Sequence, residues 1–201
     1  MIDLSFNLTT VQLVKRVLAG SESTSNQDAA ITDLIPTVSQ WIDQYLSRRI
    51  ERKQRTVVLD VEPGQSLFSL DAYPVTAIAS IKVARDRDWP NTEALDSSTY
   101  VLHESGETGL LEIERGELVD GTGVVQLIYT GGMAADYATL LADYPAIVTA
   151  ASYQVAEMWR RRDNPARSSF GDAGQHNSNP DLQLLRQVKQ LVSAYRRIGV
   201  G

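Results

Sequence analysis

Ile31-Thr32-Asp33-Leu34-Ile35-Pro36-Thr37-Val38-Ser39-Gln40-Trp41-Ile42-Asp43-Gln44-Tyr45-Leu46 sets apolar side chains at 31, 34, 35, 38, 41, 42, 45 and 46. That i, i+3, i+4, i+7 spacing is one face of an α-helix, sustained over four turns. It predicts a helix over 28–50. Pro36 either sits in the first turn of a helix capped at Thr32 or kinks a longer one that begins near Asp28. Arg48, Arg49, Arg52, Lys53 and Arg55 follow at once. Cations there would complement the carbonyl end of the helix dipole.

The periodicity changes on both sides of this helix. Upstream, Val11, Val14, Val17 and Leu18 share a face, so a short helix is expected over 9–19, with a threonine as N-cap and Gly20 closing it. Downstream, Thr56–Val61 alternates and is β-branched, and Pro63-Gly64 makes a type II turn centre. Leu67–Leu70, Ala77–Arg85, Tyr100–His103, Leu110–Arg115 and Val124–Thr130 bring the total to about six short strands. They imply a small, mostly antiparallel sheet inserted over 55–130. Residues 86–98, with Trp89-Pro90-Asn91, read as a long exposed loop or arm.

A further helix is expected over 145–162, entered at Pro145. Its buried face would be Ile147, Val148, Ala151, Val155, Met158 and Trp159, with Arg160-Arg161-Arg162 closing it. Residues 164–179 have linker composition, and 180–201 form a last helix that must dock on its own subunit or another. The fold class expected is α+β: a helical-bundle core of three to four helices over 1–163, an inserted antiparallel sheet, and a tethered C-terminal helix.

Charge is unevenly distributed. From Arg160 to Gly201 there are eight Lys and Arg against three Asp and Glu, a net of +5. Thr56–Trp159 holds four against sixteen, a net of −12, within an overall −6. An acidic middle and a basic end fit two different partners, or one end of a subunit meeting another; scattered solvated charge fits as well.

Catalytic signals are poor. The absence of cysteine excludes disulfides, thiolate chemistry and Cys-ligated metals. His103 and His176 have no partner at ligand spacing, so neither metal nor cofactor is expected. Gly121-Thr122-Gly123 lacks the rest of a phosphate-cradling loop and reads as a hairpin turn; Gly131-Gly132 reads as a strand-to-helix turn. Glu112 and Glu114 flank Ile113 and would share one strand face, forming with Glu104, Glu107, Glu117 and Asp120 an acidic patch. Same-strand carboxylates do not face each other across a cleft as hydrolytic pairs do, so a solvated or deliberately acidic surface is the better reading. Residues 1–10 show no secretory signal, and no apolar run is long enough to span a bilayer.

The order of elements resembles the head-to-tail connector (adaptor, head-completion) family of long-tailed phages and related prophages. The likeness is carried by Asp28–Ile35 running on through Trp41–Ile50, with its Tyr45-x-x-Arg48 exit, and by the strand entry Tyr73-Pro74-Val75-Thr76. It continues in Leu127-Ile128-Tyr129-Thr130-Gly131-Gly132, in Asp143-Tyr144-Pro145 through Arg162-Asp163, and in the ending Leu191–Arg197. The β region and the stretch 167–179 look longer than in compact members. The resemblance implies a structural virion protein of the neck, made in the host cytoplasm. About a dozen subunits would form a ring below the portal, with a stopper or tail component beneath and genomic DNA passing through without sequence-specific contact. In that frame Leu184, Leu185, Val188, Leu191, Val192, Tyr195, Arg196 and Arg197 are candidates for docking on the portal or a neighbour. The acidic patch would line the channel or face the tail. The Arg clusters keep a second reading open, a nucleic-acid-binding assembly factor; a third, an enzyme acting through Glu112 and Glu114, has the least support.

Overall fold

A computed structural model describes residues 5–18, 27–161 and 184–197. Gly20, Arg162, His176, Pro180 and the whole of 164–179 lie outside them. The chain divides into two compact units, Met1–Leu46 with Tyr137–Arg196 and Ser47–Asp136 with Arg197–Gly201.

The first unit is helical. Helix α1 (Val11–Val17) is capped by the Thr10 side chain, which accepts from Leu13 N, and ends on Leu18 rather than at 19. Helix α2 (Asp28–Leu46) buries Ile31, Ile35, Val38, Ile42 and Leu46, the face its spacing predicted, together with Ser39 and Asp43. Pro36 lies inside the helix, so the longer of the two alternatives holds. Pro36 and Thr32 are both exposed, and the carbonyl that proline leaves without a helical donor therefore faces water. Ser39 Oγ donates to Ile35 O and accepts from Leu8 N at 3.1 Å, tying the N-terminal segment down.

Helix α3 (Tyr137–Asp143) has no counterpart among the predicted elements; seven residues show too little periodicity to separate a helix from a loop. Helix α4 (Pro145–Arg161) starts at Pro145 and is the hub of the unit, packed by α1, α2, α3 and α5 (Arg186–Val192). Ala150, Ala151 and Ala156 are buried on it, and such small side chains let several helices approach. Thr9 Oγ1 and Ser152 Oγ meet at 2.6 Å. The C-terminal helix is shorter than the 180–201 expected: α5 spans Arg186–Val192, continued by a 3-10 turn at Ser193–Tyr195.

The predicted helix over 28–50 ends early. Leu46 is its last residue and Ser47 adopts φ +51°, which turns the chain out of the helix. No basic residue lies in its last turn; the Arg48–Arg55 cluster follows the helix instead of forming part of it.

The second unit carries the six strands, and the α+β class holds, but the strands form two sheets instead of one. Strands β1 (Lys53–Val61), β3 (Val75–Val83) and β6 (Gly121–Gly131) make an antiparallel sheet in the order β1-β6-β3. Strands β2 (Leu67–Ser69), β4 (Tyr100–Leu102) and β5 (Leu110–Ile113) make another, β2-β5-β4. Each presents one apolar face to a shared core of Phe68, Leu111 and Ile113 from the small sheet and Val61, Ile81, Val125, Leu127 and Tyr129 from the large one. Burying either face requires the other sheet, since an isolated three-stranded sheet leaves its apolar side wet.

Two of the expected turns differ, and the loop over 86–98 is exposed for most of its length as expected, though tethered. Gly121-Thr122-Gly123 opens β6 instead of forming a hairpin turn; Gly123 N donates to Asp60 Oδ1 at 2.6 Å, beside a register break between Leu59 and Val61. Residues 86–98 are pinned back along β3: Leu95 N donates to Ile81 O, Lys82 Nζ donates to Trp89 O, and Leu95 joins the core. Gly131-Gly132 does not lead straight into a helix. Met133 N donates to Arg49 O, and Ala134 N donates to Ile50 O, before α3 begins.

Candidate functional site

Among the described residues no group of three or more His, Asp or Glu side chains could hold a metal, and no helix is long and apolar enough to cross a membrane.

The arginines after α2 are engaged by their own unit. Arg48 Nε donates to Tyr73 O, and its guanidinium lies 3.8 Å from the centre of the Tyr73 ring. Arg52 donates to Gly132 O and Met133 O, and Arg55 to Glu51 O. Arg49 Nε donates to Asp71 Oδ2 at 2.8 Å, while the hydroxyl of the fully buried Tyr129 donates to Asp71 Oδ1 at 3.1 Å. These planar donor forks staple the entry of β1, the segment before β3 and the end of β6.

Burial acts to raise the Asp71 pKa, but the hydrogen bond and charge of Arg49, the Tyr129 hydroxyl and the charge of Arg55 outweigh it and hold the carboxyl below the ordinary aspartate value. Burial first, then the Asp71 carboxylate, pushes the Tyr129 phenol well above its usual range, so it stays a donor. A carboxyl depressed in the fold stabilises it above the unfolded pKa, and that contribution fades as pH falls through the folded pKa. We therefore expect Asp71→Asn to cost roughly 1 kcal/mol at neutral pH, at the low end for a charged bond because the carboxylate is over a third exposed. The deficit against the parent should shrink as pH drops below about 4. Urea titrations at pH 7 and pH 3 measure it; a deficit equal at both would show that the charge is not what Asp71 contributes.

The six acidic candidates Glu104, Glu107, Glu112, Glu114, Glu117 and Asp120 are all exposed. Glu112 and Glu114 are exposed on either side of buried Ile113, but only Glu112 lies within the strand. β5 ends at Ile113, so Glu112 projects from the strand while Glu114 caps the following 3-10 turn and its N–H bonds Thr99 O. Among the described residues, Glu112 meets His103 Nε2 at 2.9 Å, and Asp120 pairs with Arg115. Arg115 thereby neutralises Asp120 within the patch.

A feature of this region was not read from sequence. Leu67, Glu112 and Val101 lie in one cross-strand row, since Glu112 is the register partner of both, and Leu67 is 45% and Val101 57% exposed. Alternation did carry the hint, because Leu67 and Val101 are apolar at positions opposite in phase to the buried Phe68 and half-buried Leu102. Only the register shows that they are neighbours.

Of the eight C-terminal candidates, Leu184, Val188 and Val192 are buried within this chain, α5 packing on α4. Gln154 Oε1, itself in α4, accepts from Leu185 N at 2.9 Å and steadies the start of α5. Tyr195 packs edge-on against Tyr144 at 5.6 Å, and the Arg196 guanidinium lies 5.2 Å from the Tyr45 ring. Arg197 donates to Ser69 O and Oγ. Leu185 is half-buried, and Leu191, at 39%, keeps an apolar side chain in water.

The chain is similar in fold to proteins solved in gene transfer agent (GTA) particles. One, from the neck of an empty GTA particle computed with C6 symmetry, matches at a TM-score of 0.60 and 15% identity, over 94% of this chain and 90% of that one. Another, from the virion of a native GTA particle, matches at 0.60 and 15%, over 95% and 91%. A third, from a native GTA neck computed with C12 symmetry, matches at 0.55 and 16%, over 88% and 87%. No curated protein matches in sequence. The family model described as head completion protein covers residues 7–198, spanning both units from the residue before Leu8 to the end of the C-terminal segment, and the chain therefore belongs to the head completion protein family.

Proposed function

We propose that this protein is a ring-forming structural adaptor of the neck, seated between the portal vertex and a stopper or tail component. About a dozen copies surround a channel through which genomic DNA passes without sequence-specific contact. The observation that carries the reading is the family match over 7–198, in a fold shared at near full length with chains of GTA necks. The C12 symmetry used for one of those necks supports the subunit number.

The acidic β unit suits a channel or tail-facing surface, because carboxylates along a DNA path lower the tendency of phosphates to stick. The part of the C-terminal segment that is not buried, exposed Leu191 and Arg196 with half-buried Leu185 and Arg197, suits contact with a neighbouring subunit or the portal. Negative-stain imaging of the purified chain mixed with its portal protein is the test. Rings of about a dozen subunits capping the portal are expected; neither rings nor a portal complex would sink the reading. Duplex DNA retained with a steep salt dependence would instead favour a nucleic-acid-binding assembly factor. That outcome is disfavoured by the Arg48, Arg49, Arg52 and Arg55 donors, which bond the protein's own carbonyls and Asp71.

A further inference from the structure

We propose that the outer face of the β2-β5-β4 sheet is a contact between neighbouring copies of this chain, receiving the outward face of the neighbour's α5. The inference rests on the ring reading above and names the surfaces that would close the ring.

The sheet face begins with the row Leu67–Glu112–Val101. Directly opposed side chains on adjacent strands stand about 5 Å apart, so the row is roughly 10 Å wide, with a carboxylate between two exposed aliphatic groups. Glu112 is held toward His103 at 2.9 Å, which fixes where its charge lies. The strands on both edges, β2 and β4, are three residues long, and the face has no further strand beside it among the described residues. At its β2 rim, Ser69 already accepts a guanidinium from Arg197, so the chemistry this face takes up is basic.

Helix α5 has the complementary outward surface. Arg186, Gln187, Gln190 and Leu191 are exposed, and Arg186–Val192 contains no acidic residue. Gln187 and Leu191 stack one turn apart, as do Arg186 and Gln190. Arg186 and Leu191 lie at the two edges of this exposed strip, so it offers a basic group and an aliphatic one to a row that holds a carboxylate and two aliphatic groups.

Symmetry selects this occupant over the sheet face itself. Two copies of the face meeting each other would oppose Glu112 to Glu112, which costs energy and closes only a dimer. A ring of more than two subunits needs two different, complementary patches on each chain. The sheet face and the α5 face are such a pair.

The test uses the full chain, with assembly followed by native mass spectrometry and sedimentation. Glu112→Arg and Arg186→Glu, both at exposed positions, should each leave the circular dichroism spectrum unchanged and weaken assembly roughly tenfold or more. Mixed in equal amounts, the two variants should co-assemble. In a ring where they alternate, half of the contacts keep the natural pair, and the other half join the two substituted side chains with their charges exchanged. The Glu112→Arg, Arg186→Glu double variant should assemble alone. Undiminished assembly of either single variant overturns the inference. So does a mixture that stays defective, which would leave these faces to the portal or tail component. A parent chain that forms no ring, alone or on its portal, sinks the adaptor reading itself and is told apart by that result.

Discussion

Gly131→Ala is expected to unfold the β unit. A Cβ at Gly131 would lie 2.0 Å from Ala72 O and 2.9 Å from Ala72 C, both backbone atoms. Neither side can yield. Gly131 is paired with Lys53 on one flank and Val75 on the other, so shifting it breaks the central strand from both neighbours. Ala72 is fully buried and follows Asp71, which Arg49 and Tyr129 both hold. Overpacking of a core costs typically about 1–3 kcal/mol, and a backbone clash this short belongs at or above the upper end. That is a large part of the roughly 5–15 kcal/mol by which folded proteins are stable. Gly132→Ala should be as severe, since its Cβ would meet Glu51 O at 2.3 Å and its φ of +130° strains any L side chain. Gly116→Ala is the control: nothing lies within 4 Å and its φ is unstrained, so an effect within about 0.5 kcal/mol is expected. Hydrogen exchange of the β6 amides at increasing urea reports on this unit, whereas tryptophan fluorescence would mix Trp89 with Trp41 and Trp159 of the helical unit. A Gly131→Ala chain within about 1 kcal/mol of the parent would refute the close approach.

The second large effect concerns the C-terminal segment. Val188→Asp should release α5 from α4 and abolish assembly while leaving the β unit folded. Val188 is fully buried, and a carboxylate put there has only apolar burial to enter, with Val192 beside it on the same face. Burying an unpaired charge costs several kcal/mol, on top of about 2 kcal/mol for the lost valine burial. The α5 helix itself has seven residues, too few to stay helical once undocked. Hydrogen exchange is the measurement: amides of 186–195 should lose protection while those of β6 keep theirs. Retained protection in α5 would mean that the segment is held by something other than its apolar face. Val188→Ala should give a graded version of the same loss. Deleting 180–201 outright is a blunter probe, because it also strips the cover from α4.

The contrast between α2 and the arginines that follow it shows how far local sequence reaches. The spacing from Ile31 to Leu46 fixed the helix and its buried face, because which side of a helix is apolar is decided within a few turns. The same stretch gave no sign of where Arg48, Arg49 and Arg52 would find partners. Those are Tyr73, Asp71, Gly132 and Met133, brought close only when β3 and β6 pair. Helix α3 was invisible for a different reason, since its one buried side chain, Leu140, makes no pattern.

The amino-acid sequence by itself determined the kinds and order of most elements: α1, α2, the six strands, α4 and a terminal helix. It also fixed the imbalance between an acidic middle and a basic end, because propensity, alternation and charge are local properties. Tertiary structure alone decided that the strands form two sheets facing one core. It decided too that Leu184, Val188 and Val192 are taken up by α4, and that Leu67, Glu112 and Val101 share a row. Each of those outcomes depends on pairing residues distant in the chain. Such pairing is settled by burying apolar faces against one another, not by any property of the segments taken singly.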